Sequence, residues 1–183
     1  RLPLTVAGRR DKRLKPCTMD GQALDRLSSG CEGMETSFTV LTDASPRAVF
    51  AALTDVMHWP EFMPGVTAVE MESRGDLKAG DQFFEARRRF GLERSEEIVV
   101  ETMTPPRRFT LICGRSALTI TRRDFAIGFT GNETELRATH SVEPRNFLGR
   151  LVRPFARIAA PAIEQRLEAD LMAIKAEAER RSS

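Results

Sequence analysis

From Phe147 to Arg181 the apolar side chains Phe147, Leu148, Leu151, Val152, Phe155, Ile158, Ala159, Ala162, Ile163, Leu167, Leu171 and Ile174 return every three or four positions. This is the spacing of one amphipathic helix about nine turns long. A stripe of that length must be laid against an extended apolar surface, and the preceding residues supply one. After Pro64-Gly65 come five to six strand-like runs, separated by "GDLKAGD" (75–81), Gly91, "PPRR" (105–108), Gly114 and "TGNE" (130–133). Such regular alternation of runs and turns predicts an antiparallel meander, with the terminal helix as its cover. Pro154 and Pro161 lie inside the helical span and predict a bend or a broken first half there.

The residues ahead of the meander complete the element order. "SFTVLTD" (37–43) sets Phe38, Val40 and Thr42 against Thr39, Leu41 and Asp43, the period of a strand. "SPRAVFAALTD" then offers Ser45 as an N-cap, Pro46 at the first helical position, and Val49, Phe50 and Leu53 at helical spacing. A second short helical segment through Val56 and Met57 is expected to stop before Pro60, because proline disfavours helical dihedrals at the residue it follows. The fold class predicted is α+β, with a single domain over residues 35–183. Residues 1–34 lack sustained periodicity and are locally basic from Arg9 to Lys15, and they are read as a flexible N-terminal extension.

Composition narrows the function classes. The 28 basic and 26 acidic side chains give a net charge of +2, so no global field draws the chain to nucleic acid. The excess sits in residues 1–33, which hold seven Lys/Arg and four Asp/Glu, leaving 21 against 22 elsewhere. No apolar run approaches the roughly 20 residues of a membrane span. Cys17, Cys31 and Cys113 are an odd number without zinc-site or redox-pair spacing and read as reduced thiols in a cytoplasmic protein. Nucleotide-binding, hydrolase-elbow and zinc-protease motifs are absent, and His58 and His140, the two histidines, lie far apart in sequence, so no cofactor or metal is expected.

Three stretches carry a resemblance. "SPRAVFAALTDVMHWPEFMPGVTAVEM" (45–71), "PPRRFTL" (105–111) and the long helical pattern after "HSVEP" (140–144) resemble the START-related helix-grip superfamily, in its polyketide cyclase/dehydrase and lipid-transport-like branch. The resemblance covers about residues 35–181. It implies a curved antiparallel sheet of about seven strands wrapped around the C-terminal helix, with two short helices after the first strand. It further implies a hydrophobic cavity between sheet and helix that takes a lipid, an isoprenoid or a polyketide. Binding or transport of such a molecule is the leading reading. A polyketide aromatase/cyclase using the same cavity is the alternative, so enzymatic activity stays open, and a protein-interaction module is the third reading.

Strand alternation nominates the residues that face the cavity. In "DQFFEARRRF" Phe84, Ala86, Arg88 and Phe90 share one face, and Arg88 is expected to look inward. In "ELRATHSVE" Leu136, Ala138, His140 and Val142 share a face, which turns His140 inward. Leu111 and Cys113, together with Phe125, Ile127 and Phe129, are expected as walls. Phe155 joins them from the helix, and Trp59 and Phe62 from the corner after the first helix. For these last two, packing of helices against the sheet edge is preferred to ligand contact. An inward His140 could exchange protons near neutral pH, and an inward Arg88 could orient an oxyanion. His140 and Arg88 are therefore the catalytic candidates, although a satisfied core histidine and an arginine reaching water at the cavity mouth are the blander alternatives.

Overall fold

The computed structural model describes residues 34–71, 75–89, 91–150 and 153–182. The predicted N-terminal extension lies outside this set, except for Met34. Strand β1 (Met34–Thr42) leads into helix α1 (Pro46–Thr54), a 3-10 turn (Val56–His58) and the one-turn helix α2 (Trp59–Phe62). Strands β2 (Val66–Met71), β3 (Gln82–Arg89), β4 (Leu92–Thr104), β5 (Arg108–Arg115), β6 (Thr119–Thr130) and β7 (Glu133–Pro144) follow. The one-turn helix α3 (Phe147–Arg150) and the long helix α4 (Arg153–Ser182) end the described chain.

The strands form one open seven-stranded sheet in the order β1-β7-β6-β5-β4-β3-β2, every neighbouring pair antiparallel. From β2 to β7 each strand pairs with the next in sequence. Only β1 departs, crossing by way of α1 and α2 so that β1 and β2 occupy opposite edges. This is the α+β helix-grip architecture. Ser45 caps α1 as expected, its Oγ accepting from the Ala48 amide at 3.3 Å, with Pro46 in the first turn.

One difference from the sequence reading has a plain cause. The chain does not leave helical geometry before Pro60. It passes from the 3-10 turn into α2, where Pro60 occupies the first turn, a position that loses no intrahelical hydrogen bond. Helix is described on both sides of residues 151–152, as α3 and α4, and Pro161 lies inside α4.

Helix α4 packs across β1 and β7 and against α1. Its buried stripe, Leu167, Leu171, Ile174 and Ala178, enters one core with Phe38 and Val40 of β1, Val49 and Leu53 of α1, and the inner faces of β3 to β7. Polar contacts at the C-terminal end of α4 fix its axial position. Lys175 donates to the Leu41 carbonyl at 2.7 Å, and the buried Thr42 hydroxyl donates to Glu179 at 2.8 Å. Because these bonds tie α4 to β1 at one end, residues one to three turns earlier are brought over the middle of the sheet, where the unusual chemistry lies.

Candidate functional site

Five charged side chains meet between the inner face of the sheet and α4. Strand alternation puts Glu85 and Arg87 on the same face of β3 as the fully buried Phe83, and Arg123 on the same face of β6 as Phe125 and Ile127. Helix α4 contributes Arg166 and Asp170, four residues apart on one side. Glu85, Asp170 and Arg123 are each only 1% exposed. Arg87 ties both acids, with its Nε 2.6 Å from Glu85 Oε1 and an Nη1 2.9 Å from Asp170 Oδ1. Arg166 donates to Glu85 Oε1 at 3.2 Å.

The remaining two ion pairs are open. Arg123 Nη1 stands 3.8 Å from Glu85 Oε2, and Arg166 Nε stands 3.8 Å from Asp170 Oδ2, too far for a hydrogen bond. Correspondingly, Arg123 Nη1, Arg166 Nε, Arg87 Nη2, Glu85 Oε2 and Asp170 Oδ2 are all buried without a hydrogen-bond partner among the described residues. Buried polar atoms are nearly always satisfied, and leaving one unpaired costs about 1–3 kcal/mol. Five such atoms share this one network of arginines and carboxylates.

The electrostatics of the cluster are strongly coupled. Burial raises the Glu85 carboxyl pKa, yet Arg123, Arg87 and Arg166 outweigh it, and the net shift is downward. Burial also works against charge on Arg123, but the carboxylates of Glu85, Asp170 and Glu96 more than compensate, and it stays protonated. Arg166 falls to about 10, first through burial and then through repulsion from Arg123 and Arg87. Cys113, fully desolvated beside them, has its thiol pKa raised and is no nucleophile at neutral pH.

His140 lies directly opposite Arg123 in the β6–β7 register. Burial, then the charges of Arg123 and Arg166, lower its pKa from 6.5 to about 4. It is a neutral imidazole at neutral pH. A histidine held neutral in the folded state is protonated first in the unfolded chain, so its contribution to stability is complete above pH 6.5 and is lost as pH falls toward 4. His140→Gln should therefore flatten the pH dependence of unfolding free energy across that window; denaturation at a series of pH values checks this, and a slope identical to the parent's contradicts the assignment.

The predicted site residues divide into those that share the interior and those that do not. Trp59, Leu111, Cys113, Phe125, Ile127 and Leu136 are all buried in the same core, with Phe62 packed partly buried against it. Trp59 meets Phe83 edge to face at a centroid distance of 5.8 Å, which is packing of the corner onto the sheet. Phe90 and the Phe155 side chain lie outside the described residues.

Arg88 and Phe84 are corrected. The Arg88 side chain is 65% exposed with Glu93 at 3.9 Å, and Phe84 is 42% exposed. β3 presents the other face inward, because its register sets Phe83 against Ile98 of β4, whose own phase is fixed by the buried Ile98 and Val100. Phe129 is likewise not a wall: it sits at the end of β6, 71% exposed, past the last core layer. Arg88→Ala is accordingly expected to change stability by no more than about 0.5 kcal/mol and to leave any ligand affinity unaltered, which denaturation and titration of the variant would show.

Glu85, Arg87, Arg123, Arg166 and Asp170 were not singled out from sequence. A signal existed for Arg123, since the face of β6 that carries Phe125 and Ile127 extends back to it. For Glu85 and Arg87 the alternation pointed the other way, since Phe84, Ala86 and Phe90 on the opposite face outnumber Phe83.

Two surface grooves lie elsewhere. One, of about 410 Å³, runs where the end of α4 meets α1, lined by Val56, Met57, Met71, Leu77 and Met103 with Asp55 and Arg181. The other, of about 450 Å³, is on the outer face of the sheet around Arg108, Asp124, Arg122 and Glu101, whose charges are paired with one another. Among the described residues no group of His, Cys, Asp and Glu could hold a metal ion, and no helix is long and apolar enough to cross a membrane.

Solved structures share this fold at low identity. The Zhui aromatase/cyclase from Streptomyces sp. R1128 superposes with a TM-score of 0.66 at 21% identity, over 83% of this chain and 97% of that one. The di-domain ARO/CYC protein BexL of the BE-7585A biosynthetic pathway gives 0.62 at 21% identity over 80% of this chain, which spans only 50% of that larger protein. A START superfamily protein from Mycobacterium smegmatis gives 0.50 at 17% identity, over 76% of this chain and 98% of that one. No curated protein matches. A family model covers nearly the whole described region, residues 34–179, and through it the chain belongs to the family described as polyketide cyclase / dehydrase and lipid transport.

Proposed function

We propose that the protein binds one mainly apolar small molecule between the inner face of the sheet and α4, with the charged cluster meeting its polar end. The observation that carries this reading is the set of buried, hydrogen-bond-starved charges within an otherwise apolar wall of Phe83, Leu111, Phe125 and Leu136. Binding sites combine mostly apolar linings with a few convergent polar groups in this way. A host molecule of lipid, isoprenoid or polyketide type should co-purify. Native mass spectrometry of freshly prepared protein, followed by organic extraction, is expected to give a stoichiometric apolar adduct. A clean unliganded mass, together with no thermal stabilisation by a panel of apolar compounds, would contradict the reading.

One observation favours a second reading, an aromatase/cyclase-type reaction in the same space. His140 is held neutral directly across from Arg123. A neutral imidazole beside a fixed cation can relay a proton while the guanidinium stabilises an enolate oxygen. Arg123 here takes the part that sequence reading gave to Arg88. On this reading His140→Ala abolishes turnover of a poly-β-carbonyl substrate while leaving its binding intact. Binding without turnover in the parent protein leaves the carrier reading alone.

A further inference from the structure

Helix α4 is held along its length by two kinds of contact. From Leu167 onward it is anchored by burial: Leu167, Leu171, Ile174 and Ala178 lie in the core, and Lys175 reaches the Leu41 carbonyl at 2.7 Å. Ahead of Leu167 no side chain from Ala160 to Arg166 is buried, and Ile163 packs against the core only half-buried. The helix is weakened in the same place. Pro161 has no amide hydrogen to give, so the turn ahead of it lacks one helical hydrogen bond. The reach from this part of α4 to β3 is made by charged side chains. Arg166 donates to Glu85 at 3.2 Å, and Asp170, one turn further on, accepts from Arg87 at 2.9 Å. Arg87 is itself fixed on the sheet side, by Glu85 at 2.6 Å and the Pro64 carbonyl at 3.3 Å.

We propose that Arg166 and Asp170 of α4 with Glu85 and Arg87 of β3 form a clasp that closes the N-terminal part of α4 onto the sheet, and that its release lets this part lift while the rest of the helix stays docked. A buried ion network recovers little more than the cost of desolvating its charges, so a state in which they are rehydrated lies closer in free energy than one that exposes an apolar stripe. Segments with few buried apolar contacts are the ones that open locally. Release starts from the water side, because the Arg166 side chain is 26% exposed while those of Glu85 and Asp170 are almost fully enclosed. Lifting uncovers the inner-face groups on which the Arg166 charge acts, His140 and Cys113 among them. On the binding reading above, this is the way into the interior; the clasp itself is tested without a ligand, so the two stand or fall separately.

The test is amide hydrogen exchange of the full chain, read by mass spectrometry, in the parent, Arg166→Gln, Arg166→Lys and Lys175→Met. Arg166→Gln leaves Glu85 and Asp170 paired with Arg87, so the fold is kept. Amides around Ile163 to Leu167 should then exchange at least about ten-fold faster, the scale of one charge-assisted hydrogen bond, while those around Ile174 to Ala178 keep the parent's rate. Arg166→Lys, which retains the charge without the planar fork, should fall between the two. Lys175→Met should do the reverse of Arg166→Gln, because it frees only the far end of the helix. Modification of Cys113 by a thiol reagent, followed on its own peptide apart from Cys17 and Cys31, should quicken in Arg166→Gln and not in Lys175→Met. Acceleration of both ends of α4 by either variant would mean that the helix opens as one unit, and unchanged exchange in Arg166→Gln would mean that the clasp holds nothing; either result overturns the proposal.

Discussion

Arg123→Ala lowers the unfolding free energy by about 3–5 kcal/mol, the range found when one partner of a buried ion pair is removed. The side chain is 1% exposed, and its charge is the largest of the influences that hold the buried Glu85 carboxylate ionised. Without it, Glu85 keeps Arg87 and Arg166 but loses the neighbour across the sheet, and the deleted stem leaves a void beside Leu111 and His140, its register partners on β5 and β7. Two consequences separate this from a generic core defect. The Glu85 pKa moves up, so the variant's deficit relative to the parent changes across the acid range. The His140 pKa also moves up, because the second largest cause of its depression has been removed. Denaturant titrations at several pH values, with the histidine followed by NMR, measure both. A loss below about 1 kcal/mol with an unmoved His140 would mean that the cluster is not electrostatically coupled as described.

Trp59→Ala is expected to cost a comparable amount, about 3–5 kcal/mol, for a different reason. The indole is fully buried, wedged edge-on to Phe83, and joins α2 to the inner face of the sheet. Its Nε1 is buried without a hydrogen-bond partner among the described residues, so the ring is read as serving by volume and shape. Trp59→Phe should then recover more than half of the loss, since it keeps an aromatic wedge and removes an unsatisfied donor. Equal destabilisation by the two substitutions would show that the indole nitrogen has a role the geometry does not reveal.

These two residues illustrate what a sequence like this displays and what it conceals. The corner at Trp59 was legible because rare, bulky residues and two prolines cluster between a capped helix and a strand. The sheet and α4 were legible because hydrophobic periodicity changes from two to between three and four, and the turns carry glycine and proline at regular intervals. The charged cluster was not legible in the same way. Periodicity assigns faces by apolar content, and β3 offers Phe83 with Glu85 and Arg87 on one side against Phe84 with Ala86 and Arg88 on the other. Apolar counting prefers the second face. The fold takes the first, because Arg87, Arg123 and Arg166 neutralise Glu85 from three separate elements, and that compensation exists only once β3, β6 and α4 have been brought together. Partners 38 and 81 residues away from Glu85 leave no local mark in the chain.

The central proposal is that the polar end of an apolar ligand meets the arginine cluster between sheet and α4. A crystal structure of the protein grown with the apolar compound that raises its melting temperature most tests it most directly. Continuous ligand density is expected over the inner face of β6, with a polar atom of the ligand within hydrogen-bond distance of Arg123 Nη1. A ligand seated only in the surface groove lined by Met57, Met71, Leu77 and Met103, with the charged cluster closed on itself, would contradict it.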